Sequence, residues 1–444
     1  MRFYDRKQEL STLESIHKQC RTGYGKVTVL TGRRRMGKTM LALKYAQDKP
    51  ALYLFTGKKA EPLLVEEFRT AYEEFTGKRH VGELSRFGDL FELLLQHGRN
   101  NPFVVIIDEF QEFFSINKSV YSDIQKLWDK YKFDTKVHLI FIGSVYSLMT
   151  RIFQDQKEPL FGRADRVLYI KPFEARVIRD ILTDYGHLSN EELFFNYLVT
   201  GGVPRYEELL MENDCFGREN ILDLIFEKDS FFLNEGKSLL IQEFGKEYGV
   251  YFSILELMAQ GRTARTEIES VLGRSVGGFL EKLETQYDLI TKVIPVGMPP
   301  KSRNQKYAIK DNFIRFWFRF VNKHMSIIEN QRFDYVKRIV NRDLPTFAGP
   351  ALEKLFQEIT GYSSEYGLIG NYWERGNLNE IDLVAVDDLD KKMLLGKVKM
   401  NPDNIRMGRL KEKSENLRKK YKGYTFSFKG LSLEDICTYM DEMT

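Results

Sequence analysis

The sequence predicts an α/β fold, a mostly parallel sheet with helices on both faces over residues 1–171, with further domains behind it. Three observations carry this expectation. Short β-rich apolar runs alternate with helical patterns through the first 170 residues, the arrangement that places strands side by side and helices across them. At 444 residues the chain is too long for one ordinary core, so two to four domains are expected. Hydrophobic residues at 43% and charged residues at 29% describe a globular rather than a disordered chain.

The strand-like runs are KVTVL (26–30), ALYLF (51–55), FVVII (103–107), VHLIFI (137–142) and RVLYI (166–170). MLALKYAQ (40–47) and FGDLFELLLQH (87–97) carry the helical period between them. Residues 172–237 turn helical, with EARVIRDILTDYG and ELFFNYLVTGG as the clear segments. Over residues 250–310, YFSILELMAQG, RTARTEIESVLG and VGGFLEKLETQYD precede two strand-like runs, LITKVIPV and QKYAIK. GMPPKSRN, a Gly/Pro-rich turn, joins those two runs. Three helices followed by a hairpin is the order of a winged helix. The aromatic stretch NFIRFWFRFVNKH (312–324) predicts a core helix. The remainder opens with PALEKLFQEITG, then alternates strands and a final helix.

Composition excludes several classes. Cys20, Cys215 and Cys437 are far apart and odd in number, which suits a reducing compartment and neither a disulfide framework nor a metal-ligand spacing. The N-terminus MRFYDRKQEL lacks an apolar core segment, and no run of about 18 apolar residues suggests a membrane span. A cytoplasmic location is expected. The net charge is only +4, but residues 397–429 hold eleven Lys/Arg against three Asp/Glu. Such a stretch is either a solvated helix face or an attractor of a polyanion such as DNA.

The chemistry is concentrated after the first strand. In TGRRRMGKT, Gly32, Gly37, Lys38 and Thr39 satisfy G-x-x-x-x-G-K-[ST]. Glycines let backbone N–H groups curl around a β-phosphate, Lys38 reaches the β/γ oxygens, and the Thr39 hydroxyl ligates Mg²⁺. The helix that follows turns the positive end of its dipole to the same phosphates. About seventy residues on, FVVIIDEFQ ends its apolar strand in Asp108-Glu109. There Asp108 is expected to hold Mg²⁺ through water and Glu109 to orient the attacking water. Ser144, closing the next strand in LIFIGSVYSLM, is placed to sense a γ-phosphate, and Arg163 in PLFGRADR is a candidate arginine finger. Asn117-Lys118-Ser119-Val120 lacks the acid of a guanine-reading segment, so ATP is preferred to GTP.

With these segments in order, the chain resembles the archaeal-type ATPases of the STAND class of P-loop NTPases. FYDRKQELSTL, with Phe3, Arg6, Glu9 and Leu10, is similar to that family's N-terminal signature near the adenine. Gly202-Val203-Pro204 looks like its G-x-P element, and the resemblance implies that Pro204 lies against the nucleotide. It implies a P-loop core at 1–171, a helical lid at 172–237 and a winged helix with aromatic linker at 238–330. A nuclease-like domain related to the PD-(D/E)XK fold would occupy 331–444.

In that nuclease pattern a helix Glu, a strand Asp and an E-x-K pair converge, and the carboxylates hold Mg²⁺. The matching residues are Glu353, Asp382 and Lys399, but the second acid's position holds Lys397. A cation there repels Mg²⁺, so an inactive, DNA-binding tail stands beside an active nuclease with Glu374 or Glu380 substituting. The second helix of the winged-helix segment carries Glu281, Glu284 and Asp288 against Lys282. That balance leaves DNA reading and protein–protein packing both open. The expected function is an ATP-hydrolysing switch coupled to the tail. The alternatives are a non-catalytic signalling module and an ATP-controlled nuclease. A protein partner or homo-oligomer fits any of them.

Overall fold

The computed structural model describes residues 2–244, 248–302 and 304–444, so Arg303 of the 297–304 turn lies outside the described residues. The chain divides into two compact units, Arg2–Lys171 and Pro172–Thr444.

The first unit is built on a sheet of β1 (Lys26–Thr31), β2 (Ala51–Phe55), β3 (Phe103–Asp108), β4 (Val137–Ile142) and β5 (Arg166–Tyr169). The strand order is β2-β3-β4-β1-β5 and every pairing is parallel. Burial follows position in the sheet. Central β1, β3 and β4 are buried at every residue, whereas edge strands β2 and β5 leave residues exposed. The middle strands are covered by helices, which is why they read as mostly apolar runs. Among the polar residues buried in these strands is His138 of β4. Its ring nitrogens meet Thr28 Oγ1 at 2.8 Å and the Tyr45 hydroxyl at 3.2 Å. Burial drives its pKa down to about 3, so it is a neutral, satisfied core residue.

The second unit begins with helices, among them Ala175–Asp184, Asn190–Thr200 and Pro204–Glu212. The helix Asn190–Thr200 ends at Gly201, and Gly201 and Gly202 both adopt positive φ, 62° and 72°. A Cβ on Gly202 would stand 2.1 Å from the Phe173 carbonyl oxygen, and the Phe173 N–H donates back to Gly202 O at 2.7 Å. Gly202→Ala is therefore expected to cost about 2 kcal/mol or more, from strain plus a forced backbone shift. Gly186, at φ 76° with open space around its Cβ position, supplies the control, and Gly186→Ala should cost only about 1 kcal/mol. Equal losses in urea unfolding would refute the steric part of the argument.

Helices Tyr248–Ala259, Arg265–Leu272 and Gly277–Thr285 follow, then β6 (Ile290–Val293) and β7 (Lys306–Ile309), an antiparallel pair. The aromatic stretch differs from a single helix. Asn312–Phe316 is α-helical, Trp317–Val321 widens into a π-helical turn, and Asn322–His324 tightens into a 3₁₀ turn. The cause is tertiary: the Trp317 indole lies where a Cβ on Gly236 would be 2.2 Å away, and its Nε1–H donates to Leu233 O at 3.1 Å. Anchoring that large ring locally changes the helical spacing.

The chain closes with the 28-residue helix Phe333–Thr360 and a second sheet, β8 (Leu368–Glu374), β9 (Leu378–Asp387), β10 (Lys392–Lys399) and β11 (Thr425–Ser432). Its order is β11-β10-β9-β8, with β10–β11 parallel and the others antiparallel. The long helix packs on β9 and β10 and also reaches the opening helices of the unit. Glu358 accepts from the Ala175 N–H at 2.7 Å and the Tyr197 hydroxyl at 3.0 Å, so it caps the helix Ala175–Asp184. Asn190 donates to Glu434 O at 2.6 Å and accepts from the Cys437 N–H at 2.9 Å.

Candidate nucleotide site

The end of β1 turns into the phosphate-binding loop at Gly32, whose φ is 141°, and a Cβ there would approach Ile170 O to 2.5 Å. Gly37, at φ 77°, is the N-cap of the helix Lys38–Ala46. Both positions need glycine, one for contact and one for conformation. Lys38 folds over the loop, its Nζ donating to Gly32 O and Arg33 O, each at 2.8 Å.

Thr39 Oγ1 donates to Asp108 Oδ2 at 2.6 Å, joining the loop to the end of β3. The same oxygen accepts from the Tyr53 hydroxyl at 3.0 Å, and Oδ1 accepts from the Glu109 N–H at 2.8 Å. Glu109 leaves the strand in a left-handed conformation, φ 50°, a strained geometry typical of functional turns. Its carboxylate accepts from Ser144 Oγ at 2.7 and 3.0 Å and from Gln111 Nε2. Gln111 Oε1 in turn accepts from the Ser144 N–H at 3.3 Å. Lys38, Thr39, Asp108, Glu109 and Ser144 thus line one edge of the sheet, at the C-terminal ends of its strands, where open α/β sheets bind ligands.

Arg6 acts from behind the loop. It is buried, and its guanidinium donates to Lys171 O at 2.7 Å, to Met36 O at 3.4 Å and to Glu9 Oε1 at 3.3 Å. Arg163 lies elsewhere, in a fork on Asp129 at 2.7 and 3.2 Å with further bonds to Pro159 O and Phe161 O. Pro204 begins the helix Pro204–Glu212 in the second unit, a position that suits its fixed φ. Tyr53 and Gln111 were not evident as site residues in the sequence. The Tyr53 contact depends on β2 lying beside β3. Gln111 carried one signal, its place two residues beyond Glu109.

In the second unit Asp382 is buried, with Oδ1 accepting from Lys397 Nζ at 2.7 Å and Oδ2 from the Val398 N–H at 2.9 Å. Glu353 stands close enough to Asp382, Glu380, Lys397 and Lys399 to feel their charges. Burial first, then the Asp382 and Glu380 charges, pushes its carboxyl up to about 8. Glu380 accepts from Lys306 at 3.2 Å, and Glu374 accepts from Tyr372, Asn379 and Asn416. Among the described residues no group of three or more His, Cys, Asp or Glu side chains is placed to hold a metal ion. No described helix is long and apolar enough to cross a membrane.

A parallel sheet of order β2-β3-β4-β1-β5, with a glycine loop between β1 and its helix and a carboxylate ending β3, defines an ATPase domain of the P-loop type. Residues 3–210 match an ATPase domain found predominantly in Archaea, and residues 317–423 match a family of archaeal and bacterial proteins of unknown function. An uncharacterised protein of Methanocaldococcus jannaschii is 30% identical over 408 residues, covering 89% of this chain and 87% of its own. The chain belongs to the family of that archaeal protein. A second uncharacterised protein of the same organism is 36% identical over 81 residues, 18% of this chain and 79% of its own. Among solved structures, a Walker-type ATPase of Pyrococcus abyssi shares the fold, with TM-score 0.54, 19% identity, and 71% of this chain and 96% of its own covered. Aeropyrum pernix ORC2, solved in ADPNP–ADP complexes, matches at TM-score 0.50 and 13% identity over 76% of this chain and 95% of its own.

Proposed function

We propose that the protein binds and hydrolyses ATP as a molecular switch, and that the switch acts through a DNA-binding, nuclease-like tail. The observation that carries the first part is the continuous chain of contacts from Thr39 through Asp108 to Glu109 and Ser144. Two hard oxygen donors, Thr39 Oγ1 and Asp108 Oδ2, lie 2.6 Å apart beside the loop, a donor set that suits Mg²⁺, which keeps several of its waters. Mg²⁺ bound there would neutralise charge on the β/γ-phosphates. Lys38 exchanges its loop carbonyls for phosphate oxygens, Glu109 orients the attacking water, and Ser144 reports the γ-phosphate to Glu109. Arg6 steadies the loop near the nucleotide, and Pro204 closes on it.

Arg163 serves as a finger only after leaving Asp129, a move that a second copy of the chain could drive. Residues 172–237 form the lid, 238–330 the winged helix and linker, and 331–444 the tail. Glu358 and Asn190 support the coupling, because they tie the tail directly to lid helices. Arg409, Lys411, Lys419, Lys420 and Lys422 are exposed and supply the positive surface for duplex DNA. A cytoplasmic location fits this role.

The test is steady-state ATP hydrolysis with Mg²⁺, with and without duplex DNA. Turnover stimulated by DNA and lost in Lys38→Ala supports the proposal. Tight ATP binding with negligible turnover under both conditions favours the second reading, a signalling module that uses ATP as a conformational ligand. The Ser144–Glu109 contact, which holds the catalytic carboxylate in a resting pose, is the observation behind that alternative.

A further inference from the structure

We propose that the ε-ammonium of Lys397 occupies the place a divalent cation takes in an active nuclease-like centre, leaving the tail's carboxylate pocket neutralised from within and independent of metal. The inference rests on the nuclease-like reading of the tail and goes beyond it. Lys397 follows Gly396, which pairs with Leu383, the residue after Asp382. The two adjoining strands therefore bring ammonium and carboxylate together, at 2.7 Å, with side chains only 17% and 1% exposed.

Both Asp382 oxygens are then engaged, Oδ1 by the ammonium and Oδ2 by the Val398 N–H. A magnesium ion needs near-octahedral oxygen donors at about 2.0–2.1 Å. It could enter only by expelling Lys397, and it would still face that charge and the nearby Lys399. The remaining acids, Glu353 among them, are no substitute set: no three such side chains among the described residues are placed to hold a metal ion, Glu380 is paired with Lys306, and Glu374 with Tyr372, Asn379 and Asn416. Buried charges persist where they are paired. Here the partner is tethered by the chain, so the pocket keeps its cation at any divalent concentration. The residues present do not fit a metal-dependent nuclease, and the tail's contribution is binding without phosphodiester cleavage.

The experiment uses the full chain without nucleotide, carrying Thr39→Val to silence the phosphate-loop metal site. Calorimetric titration with Mn²⁺ is expected to show no binding. Adding Lys397→Glu should lower the melting temperature in EDTA, and Mn²⁺ should restore it with one ion bound per chain. That rescue should vanish when Asp382→Asn is added, whereas Lys397→Arg should keep its stability in EDTA and bind no Mn²⁺. Mn²⁺ binding to the Thr39→Val chain that disappears with Asp382→Asn would overturn the proposal while leaving the nuclease-like reading intact. Loss of stability in Lys397→Glu without rescue would overturn both, since the pair would then be an ordinary structural ion pair. Should Lys397→Glu fail to fold, the titration of the Thr39→Val chain alone still decides whether the pocket takes a metal.

Discussion

Glu109→Gln is expected to leave ATP affinity nearly unchanged and to lower kcat by about 10²–10³-fold, the loss typical of removing a positioned general base. The argument is geometric. Asp108 Oδ2 bonds Thr39 and Tyr53, so that oxygen is committed to the loop and the β2 edge. Glu109 instead turns off the strand at φ 50° and presents its carboxylate to Ser144 and Gln111. A glutamine keeps the length and can still accept from Ser144, so the fold and the phosphate loop persist while the acceptor for a water proton is lost. Ser144→Ala should cost less, because it removes an orienting contact and leaves the carboxylate. Binding of a fluorescent ATP analogue, read beside single-turnover hydrolysis, separates the two steps. A Glu109→Gln enzyme within roughly threefold of wild type in single turnover would remove Glu109 from the proposed chemistry.

The parts of this site that were legible in the sequence are those where chemistry dictates residue type locally. Gly32 and Gly37 stand where a side chain would collide or strain, and Asp108-Glu109 end a strand buried at every residue. The strands were readable because burial at every residue makes β3 and most of β1 and β4 apolar, whichever way a side chain points. What stayed hidden depends on topology. Tyr53 reaches Asp108 because β2 pairs with β3, with Phe55 opposite Asp108 in register. Lys397 reads as a missing acid in the sequence, and only the β9–β10 pairing supplies its partner, Asp382. The 312–324 stretch departs from a single helix at the point where the Trp317 ring packs against Gly236, a tertiary contact that the local pattern does not announce. Arg163 illustrates the same limit for charges: its type suggested a finger, while its fork on Asp129 is a product of folding.

Glu207, a buried acid of the second unit, is expected to lower that unit's stability as pH rises from about 4.5 to about 7, over a window that overlaps that of Glu353. It lies on the helix Pro204–Glu212, is 2% exposed, and meets the Thr200 hydroxyl. That hydroxyl also lies 2.8 Å from Asn196 O and accepts from the Gly202 N–H at 3.1 Å. The hydroxyl has one proton for two acceptors, the Asn196 carbonyl and the Glu207 carboxyl, so it is a weak counterweight to burial. Burial accordingly pushes Glu207 up to about 7, with the Thr200 bond opposing. Below pH 4.5 the group is protonated in both folded and unfolded chains and is neutral towards stability. Between 4.5 and 7 the folded chain holds a proton that the unfolded chain has released, and each pH unit costs about 1.4 kcal/mol. Above 7 the loss levels off at roughly 3 kcal/mol. Glu207→Gln keeps an acceptor towards Thr200 and cannot ionise, so it should match wild type near pH 4 and exceed it by roughly 3 kcal/mol at pH 8. Urea unfolding of both proteins across this range isolates Glu207, because every other titrating group is common to the two. Parallel curves would mean that Glu207 is ionised in the folded chain. A gap that opens between pH 5 and 7 would place a neutral carboxyl beside the Gly202 turn, where its ionisation loosens the segment leading into Pro204.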